Sequence, residues 1–141
     1  MSFAVIVVDQ ITKALAVRFL SPIPSLPVIP GIFHLTFLRN AGVAFGLFKD
    51  HGFPIIFVTF GIVLTLFWVS LRSRDGESGL MVLCLGLILG GAVGNLIDRI
   101  RTGGVIDFLD FRIWPVFNMA DSCITIGAVL MTWMLLRSRR A

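Results

Sequence analysis

Long apolar runs, separated by shorter polar stretches, dominate this chain. Residues 54–71 and 80–97 carry no charged side chain, and residues 116–136 carry a single one, Asp121. Each run is 18 to 21 residues long, close to the roughly 20 residues of α-helix that cross a hydrocarbon core about 30 Å thick. The pattern predicts three membrane-spanning helices.

A fourth apolar run, residues 3–20, is interrupted by Asp9, Lys13 and Arg18. A cleaved signal peptide would begin with a basic region and would not carry an aspartate in its apolar part. We therefore interpret this run as a first spanning helix. The prediction is an all-α membrane protein with four transmembrane helices in one membrane domain, 1–141. The spans cover about 3–20, 54–71, 80–99 and 116–136.

The two longer connections between these runs carry signals for β-structure. Residues 21–27 contain three prolines and must end the first helix, whereas residues 32–38 have the composition of a strand. In the second connection, 101–115, a pair of glycines precedes another β-like stretch at 105–108. We expect a small sheet, or cradle, over one end of the helices. Residues 43–48 fit either a short amphipathic helix or more strand.

The basic residues predict the orientation of the spans. Arg72 and Arg74 lie in the short turn 72–79, and Arg137, Arg139 and Arg140 lie at the end of the sequence. The positive-inside rule assigns both clusters to the cytoplasmic side. Both termini are then cytoplasmic, and the segments 21–53 and 101–115 are extracytoplasmic.

Composition agrees with a membrane protein and disfavours several other classes. Hydrophobic residues make up 57% of the chain and charged residues only 14%, against roughly 25% charged in a soluble domain. The net charge of +4 is scattered rather than gathered on one face, so we expect no nucleic-acid partner. Cys84 and Cys123 lie in apolar runs without a CxxC or Cys/His pattern, which indicates neither a disulfide framework nor a metal site.

Glycines recur every four residues in the third span, at Gly86, Gly90 and Gly94. Small residues at this spacing let helix backbones approach closely in lipid. Gly91 lies beside them. This stripe predicts tight helix packing.

The candidate chemistry comes from acidic side chains that a membrane makes costly, at about 2.5–3.5 kcal/mol for a charge at a helix centre. Of the eight acids, Asp50, Asp75 and Glu77 fall in polar loops and are predicted to be solvated. The other five are predicted near the extracytoplasmic end of the helices: Asp9, Asp98, Asp107, Asp110 and Asp121.

Two of these acids form a candidate catalytic pair. Asp121 lies one turn inside the fourth span, where Asn118 and Asp121 also fit a helix capping box. Asp107 lies midway along a connection whose two ends emerge on the same side, so this connection can fold back and bring Asp107 against Asp121. Asp110 is a rival that the sequence leaves open.

Adjacent carboxylates share a proton, because two like charges about 3 Å apart cannot both ionise. The ionised member can take a proton from an attacking water, and the protonated member can polarise a peptide carbonyl. Such a pair hydrolyses peptides without a metal or a cofactor. The helix dipole favours Asp121 as the ionised member, although the titration belongs to the pair.

Further polar residues occur at helical spacing. Asn95 and Arg99 lie four residues apart on one face of the third span, where Arg99 could instead extend to the interface. Asp9 and Lys13 form a similar pair on the first helix, which could be only an internal ion pair.

Five motifs follow one another in an order that resembles the lipoprotein signal peptidases, or signal peptidase II, a family of bacterial membrane peptidases. They extend over nearly the whole chain and together are highly specific. The motifs are Asp9-Gln10-Ile11-Thr12-Lys13, Asn40-Ala41-Gly42-Val43-Ala44-Phe45, Gly94-Asn95-Leu96-Ile97-Asp98-Arg99, Gly104-Val105-Ile106-Asp107-Phe108 and Phe117-Asn118-Met119-Ala120-Asp121.

The resemblance implies an aspartic endopeptidase of the bacterial plasma membrane. It would remove the signal peptide from prolipoproteins, cutting on the N-terminal side of their diacylglyceryl-modified cysteine. Prolipoproteins and membrane lipid are then the expected partners, with no cofactor, metal or obligate protein partner.

The resemblance also implies roles for individual residues. Asp107 and Asp121 would be the catalytic dyad. Asn40, Asn95, Arg99 and Asn118 would hold the substrate or the dyad. Five further motif positions would support the site: Asp9, Lys13, Gly42, Ala44 and Phe45.

Three other functions remain open from the residues alone. A small transporter or proton relay also uses membrane acids, but nearer the bilayer midplane. A non-catalytic membrane subunit would use the same polar groups only for caps and packing. A Ser–Lys peptidase would need a serine beside Lys13 or Lys49.

Overall fold

The computed structural model describes residues 1–41, 52–72 and 79–138. Within them are four helices, α1 (Ser2–Leu20), α2 (Gly52–Arg72), α3 (Gly79–Thr102) and α4 (Met119–Ser138). Three strands accompany them, β1 (Leu26–Ile29), β2 (Phe33–Asn40) and β3 (Val105–Asp110). The predicted combination of four helices and a small sheet is confirmed. The predicted amphipathic helix at 43–48 lies outside the described residues.

Helix α1 ends at Leu20, immediately before the proline-containing segment that was expected to stop it. Its buried residues recur every three or four positions and include two charged ones: Val5, Asp9, Lys13, Ala16 and Leu20. The opposite face is apolar and exposed, with Phe3 79% and Phe19 60% accessible. A helix on the surface of a soluble protein buries its apolar side chains and exposes its charged ones. Helix α1 does the reverse, which suits contact with lipid.

Helix α3 lies at the centre of the bundle and contacts the three other helices. The glycine stripe makes this possible. A Cβ atom at Gly90 would lie 2.7 Å from the Cβ of Val5, and one at Gly91 would lie 2.5 Å from the carbonyl oxygen of Ala120. Gly86, Gly90 and Gly94 therefore face α1 while Gly91 faces α4, which confirms the predicted packing role.

The sheet is antiparallel in the order β1-β2-β3. Strand β2 begins one residue after the start of the predicted stretch 32–38 and ends two residues beyond it. Strand β3 covers the predicted stretch 105–108 and extends two residues further. Strand β1 was not predicted. It is an exposed edge strand that contains Pro27, and proline is tolerated at a sheet edge.

The last helix begins at Met119, three residues after the start of the apolar run that predicted it. Phe117 pairs instead with Leu109: the Phe117 amide donates to the Leu109 carbonyl at 3.0 Å, and the Leu109 amide donates to the Phe117 carbonyl at 2.8 Å. This pairing attaches the chain just before α4 to the outer edge of β3. It brings Asn118 and Asp121 next to the strand that carries Asp107.

Two helices in the described part of the chain are long and apolar enough to cross a membrane, α3 over Gly79–Thr102 and the last helix over Met119–Arg137. The apolar stretch of α2, Ile56–Val69, is shorter, and α1 carries three charged residues. The count of four transmembrane spans stays a prediction.

Candidate active site

The beginning of α4 forms the first part of the site. The Asn118 side-chain oxygen accepts the Asp121 backbone amide at 2.9 Å, and the Asp121 carboxylate accepts the Asn118 backbone amide at 3.3 Å. This is the predicted capping box, in which each residue satisfies an amide that the helix leaves unpaired. It fixes the Asp121 carboxylate at the helix N-terminus, where the helix dipole favours negative charge.

Asp107 approaches the same point from β3 and is only 2% exposed. Its Oδ1 accepts a hydrogen bond from Asn118 Nδ2 at 2.6 Å, and its Oδ2 accepts one from Asn40 Nδ2 at 3.2 Å. Asn118 therefore contacts both aspartates, Asp107 through its amide nitrogen and Asp121 through its amide oxygen.

The charges of the two aspartates also interact. Burial, and after it the negative charge of Asp121, raise the pKa of Asp107 to about 6, against the opposing effect of the hydrogen bonds from Asn40 and Asn118. A carboxyl group with this pKa takes up and releases its proton near neutral pH, as acid–base chemistry requires.

Asn95 and Arg99 extend the site along α3. Asn95 Nδ2 donates to Asp121 Oδ1 at 2.8 Å, and its Oδ1 accepts from Asn118 Nδ2 at 3.2 Å. Arg99 is half-buried, and its charge attracts those of Asp98, Asp107 and Asp121. The side chains that the sequence singled out on α3 thus converge on the same carboxylates.

Behind the pair lies a buried polar network. Lys13 forms ion pairs with Asp9 at 2.9 Å and with Asp98 at 2.8 Å, and it donates to Asn95 Oδ1 at 2.8 Å. The predicted Asp9–Lys13 pair is therefore present, and its partners are two carboxylates and an amide rather than the serine that a Ser–Lys peptidase needs.

Two members of this network, Asp98 and Gln10, were missing from the predicted set of site residues. Gln10 Nε2 donates to Asp98 Oδ1 at 3.0 Å. Asp98 follows Asn95 by three positions, so helical spacing alone places the two on one face of α3. That spacing was the available signal.

Asp110, the rival for Asp107, lies in different surroundings. Residues three apart on a strand point to opposite faces of the sheet, so Asp110 faces away from Asp107. Its carboxylate accepts from Thr36 at 2.8 Å and pairs with Arg112 at 3.1 Å. The Arg112 backbone amide also donates to Asp110, at 2.9 Å. This bond has the largest effect among those that lower the pKa of the Asp110 carboxyl group. A lowered pKa suits a carboxylate with a structural role.

Gly42, Ala44 and Phe45 lie outside the described residues. Cys84 and Cys123 are free thiols. Over the ranges 1–41, 52–72 and 79–138, no group of three or more His, Cys, Asp or Glu side chains could hold a metal ion.

The chain is similar to known proteins over most of its length. The family model described as signal peptidase (SPase) II matches residues 1–137. A lipoprotein signal peptidase of Halothermothrix orenii is 46% identical over 127 residues, which covers 90% of this chain and 86% of the relative. That of Caldanaerobacter subterraneus subsp. tengcongensis is 46% identical over 135 residues, covering 94% and 90%.

Solved structures extend the likeness to three dimensions. One, described as a bacterial membrane enzyme determined by the in meso method at 2.3 Å, has a TM-score of 0.85 and 33% identity over 98% of this chain and 86% of its own. Another, at 1.9 Å, has a TM-score of 0.82 and 34% identity over 96% and 89%. On the family match, the sequence identities and these membrane-enzyme folds, the chain belongs to the signal peptidase II family of membrane peptidases.

Proposed function

We propose that this chain is an aspartic endopeptidase that removes the signal peptide from prolipoproteins, with Asp107 and Asp121 as its catalytic dyad. Membership of the signal peptidase II family supports the peptidase activity and the prolipoprotein substrate. The observation that carries the aspartic mechanism is the bridge from Asn118 to both aspartates. It joins two carboxylates whose charges interact.

The dyad divides acid and base between its members. Asp107 has the raised pKa, so it is the protonated member, and Asp121 at the helix N-terminus is the ionised one. Asp121 takes a proton from a water molecule as the water oxygen attacks the scissile carbonyl carbon. Asp107 donates its proton to the carbonyl oxygen, giving a neutral tetrahedral intermediate.

Collapse of this intermediate breaks the carbon–nitrogen bond. The proton on Asp121 passes to the leaving amine, and the proton on the former carbonyl oxygen returns to Asp107. The products are a new carboxyl terminus on the signal peptide and a free amine on the cysteine of the lipoprotein. Both aspartates end in their starting protonation states.

Neighbouring amide and guanidinium groups support the dyad. Asn40 and Asn118 donate to Asp107 and orient its carboxyl group. Arg99 is half-buried beside the two aspartates, where its guanidinium can donate to the carbonyl oxygens of a bound peptide. Its positive charge also stabilises the negative charge of the dyad.

The substrate's lipid gives this arrangement a physical purpose. A diacylglyceryl-modified cysteine holds the scissile bond at the membrane surface, and its acyl chains can stay in lipid between the helices. The dyad lies where β3 meets the first turn of α4, at one end of the bundle. Arg72 and Arg137 lie in the C-terminal turns of α2 and α4, away from the end that carries the dyad. The positive-inside rule assigns these turns, and with them both termini, to the cytoplasm. We therefore assign the end with the dyad to the extracytoplasmic face of the bacterial inner membrane.

The test is cleavage of a diacylglyceryl-modified precursor by the separate variants Asp107→Asn and Asp121→Asn, with folding checked by thermal unfolding in detergent. We expect both to lose at least about 1,000-fold in kcat, since each removes an acid–base group that acts in every turnover. Asp110→Asn is the matched control on the same strand and should retain activity. Normal cleavage by either dyad variant would rule out the aspartic mechanism.

A further inference from the structure

The ammonium group of Lys13 lies between the two segments that carry the proposed dyad. Lys13 is 1% exposed, and its three donors meet three acceptors: Asp9 at 2.9 Å, Asp98 at 2.8 Å and Asn95 at 2.8 Å. An ammonium group with three short bonds has little freedom to move. The positions of the Asp9 and Asp98 carboxylates are therefore fixed relative to each other.

Asp9 connects this group to α4. Its Oδ1 accepts the backbone amide of Ala120 at 3.0 Å, and Ala120 is the residue directly before Asp121. The amides in the first turn of a helix have no partner within the helix. A buried carboxylate from α1 satisfies one of them and so ties the start of α4 to Lys13.

Asp98 makes the corresponding connection to β3. Its Oδ2 accepts the backbone amide of Ile106 at 3.1 Å, and Ile106 is the residue directly before Asp107. Gln10 holds the other oxygen of Asp98 at 3.0 Å. The same ammonium group is thus linked, through one carboxylate on each side, to the peptide preceding each member of the dyad.

We propose that Asp9, Lys13 and Asp98 form a clamp that sets the spacing between Asp107 and Asp121, with Asp98 as a positioning residue of the reaction. This inference rests on the proposed function. The dyad residues belong to a strand and a helix that approach from different directions, and a misplacement of about 1 Å can cost about 100-fold in rate.

Stability alone is a poor reason for such a cluster. A buried ion pair or triad can often be replaced by apolar side chains of similar volume with no loss of stability, because taking the charges out of water is costly. Each carboxylate in this clamp also accepts an amide next to a dyad residue. These two bonds position the backbone beside each dyad residue, in addition to filling space in the core.

The first test compares Asp98→Ala with Asp98→Asn, using a diacylglyceryl-modified precursor and measuring kcat, KM and thermal unfolding. In folded Asp98→Ala enzyme we expect kcat to fall by about 100-fold and KM to change by less than about threefold, because Asp98 is buried behind the dyad. The asparagine variant keeps an oxygen that can accept the Ile106 amide and should recover at least about tenfold of the loss.

Asp110→Asn is the matched control, a buried carboxylate on β3 that bonds to Thr36 and Arg112. Its kcat should stay near that of the unaltered enzyme. A kcat close to normal in Asp98→Ala, or an asparagine variant no better than the alanine variant, overturns the clamp.

A second measurement covers the case in which Asp98→Ala does not fold. An ester in place of the peptide bond between Val105 and Ile106 replaces the Ile106 N–H donor with an oxygen and leaves every side chain intact. We expect a loss of kcat at unchanged KM, and an unchanged kcat contradicts the clamp. Asp107→Asn is measured alongside: if it still cleaves, the proposed function has failed, whereas if only the clamp variants remain active, the clamp alone has failed.

Discussion

Asn118 donates to Asp107 at 2.6 Å through its side-chain nitrogen and accepts the Asp121 amide at 2.9 Å through its side-chain oxygen. One buried amide therefore has two separate duties. The oxygen caps α4, and the nitrogen joins that helix to the carboxyl group on β3. Substitutions at this position can remove one duty and keep the other.

We predict that Asn118→Ser separates stability from activity. Serine is a good N-cap, so the helix should keep most of its stability, whereas alanine at a cap costs about 1 kcal/mol. Serine cannot reach Asp107 as the longer amide does, so kcat should fall by roughly 10- to 100-fold in both variants. Thermal unfolding and steady-state kinetics on Asn118→Ser and Asn118→Ala measure the two effects. Equal stability of the two variants would show that the cap contributes nothing.

The pH dependence of cleavage provides a second prediction. The dyad needs Asp107 protonated, and its pKa is about 6. Activity measured as kcat/KM, which reports the free enzyme, should therefore decline as the pH rises through about 6. A bound substrate excludes water from the site and should move the corresponding decline in kcat to higher pH.

Asn40→Ala should shift this decline upward in pH. The hydrogen bond from Asn40 favours the ionised form of Asp107 and lowers its pKa, so removing the bond raises the pKa and extends activity to higher pH. Thr36→Val, on the same strand but bonded to Asp110, is the control and should leave the profile unchanged. A downward shift in Asn40→Ala would contradict the assignment of the proton to Asp107.

The sequence predicted the helices and the cap of α4 because both follow from local rules. Uncharged runs of about 20 residues have few uses outside a membrane, and Asn118 with Asp121 fits a capping box at the correct spacing. The boundary of α4 was less predictable. Nothing in the apolar run from residue 116 reveals that Phe117 pairs with Leu109, although the position of the cap residue marks the true start.

The network behind the dyad was harder to predict. Asp98 and Ile106 are joined through a backbone amide eight residues away, and the sequence does not show which amide a carboxylate will meet. That meeting depends on the turn after α3, where Gly103 has a φ of +73° and the Thr102 hydroxyl donates to the Gly104 carbonyl at 2.7 Å. Strand β1 was missed for a different reason, since an exposed edge strand with a proline has no periodic pattern.

Gly94→Ala should damage the enzyme through Asp9. A Cβ atom at Gly94 would lie 2.5 Å from Asp9 Oδ2, and that oxygen is held by Lys13, so the carboxylate cannot move aside without breaking its bonds. We expect a loss of about 1–3 kcal/mol in stability together with reduced kcat. Gly61→Ala is the matched control in α2, where an added Cβ meets no atom of the described residues within 4 Å, and it should be neutral or slightly stabilising. Equal unfolding temperatures for the two variants would contradict the close approach.

The raised pKa of Asp107 also predicts a gain in stability when the catalytic group is removed. The folded protein binds this proton more tightly than the unfolded chain, whose aspartate has the ordinary pKa near 3.8. This contribution to stability is fully present below pH 3.8 and is lost as the pH rises through about 6. Over that interval the cost of ionising buried Asp107 grows to roughly 3 kcal/mol.

Asp107→Asn avoids that cost because asparagine does not ionise. Its unfolding temperature relative to the unaltered protein should therefore rise between pH 4 and pH 7.5, even though cleavage is lost. Asp110→Asn provides a control of opposite sign. The pKa of Asp110 is lowered in the folded protein, so its carboxylate stabilises the fold above the ordinary pKa, and the asparagine variant should lose stability as the pH rises. The same pH trend in both variants would contradict the assignment of a catalytic role to Asp107 and a structural role to Asp110. Opposite trends would mean that burial beside Asp121 stores an unfavourable charge at the point where proton transfer occurs.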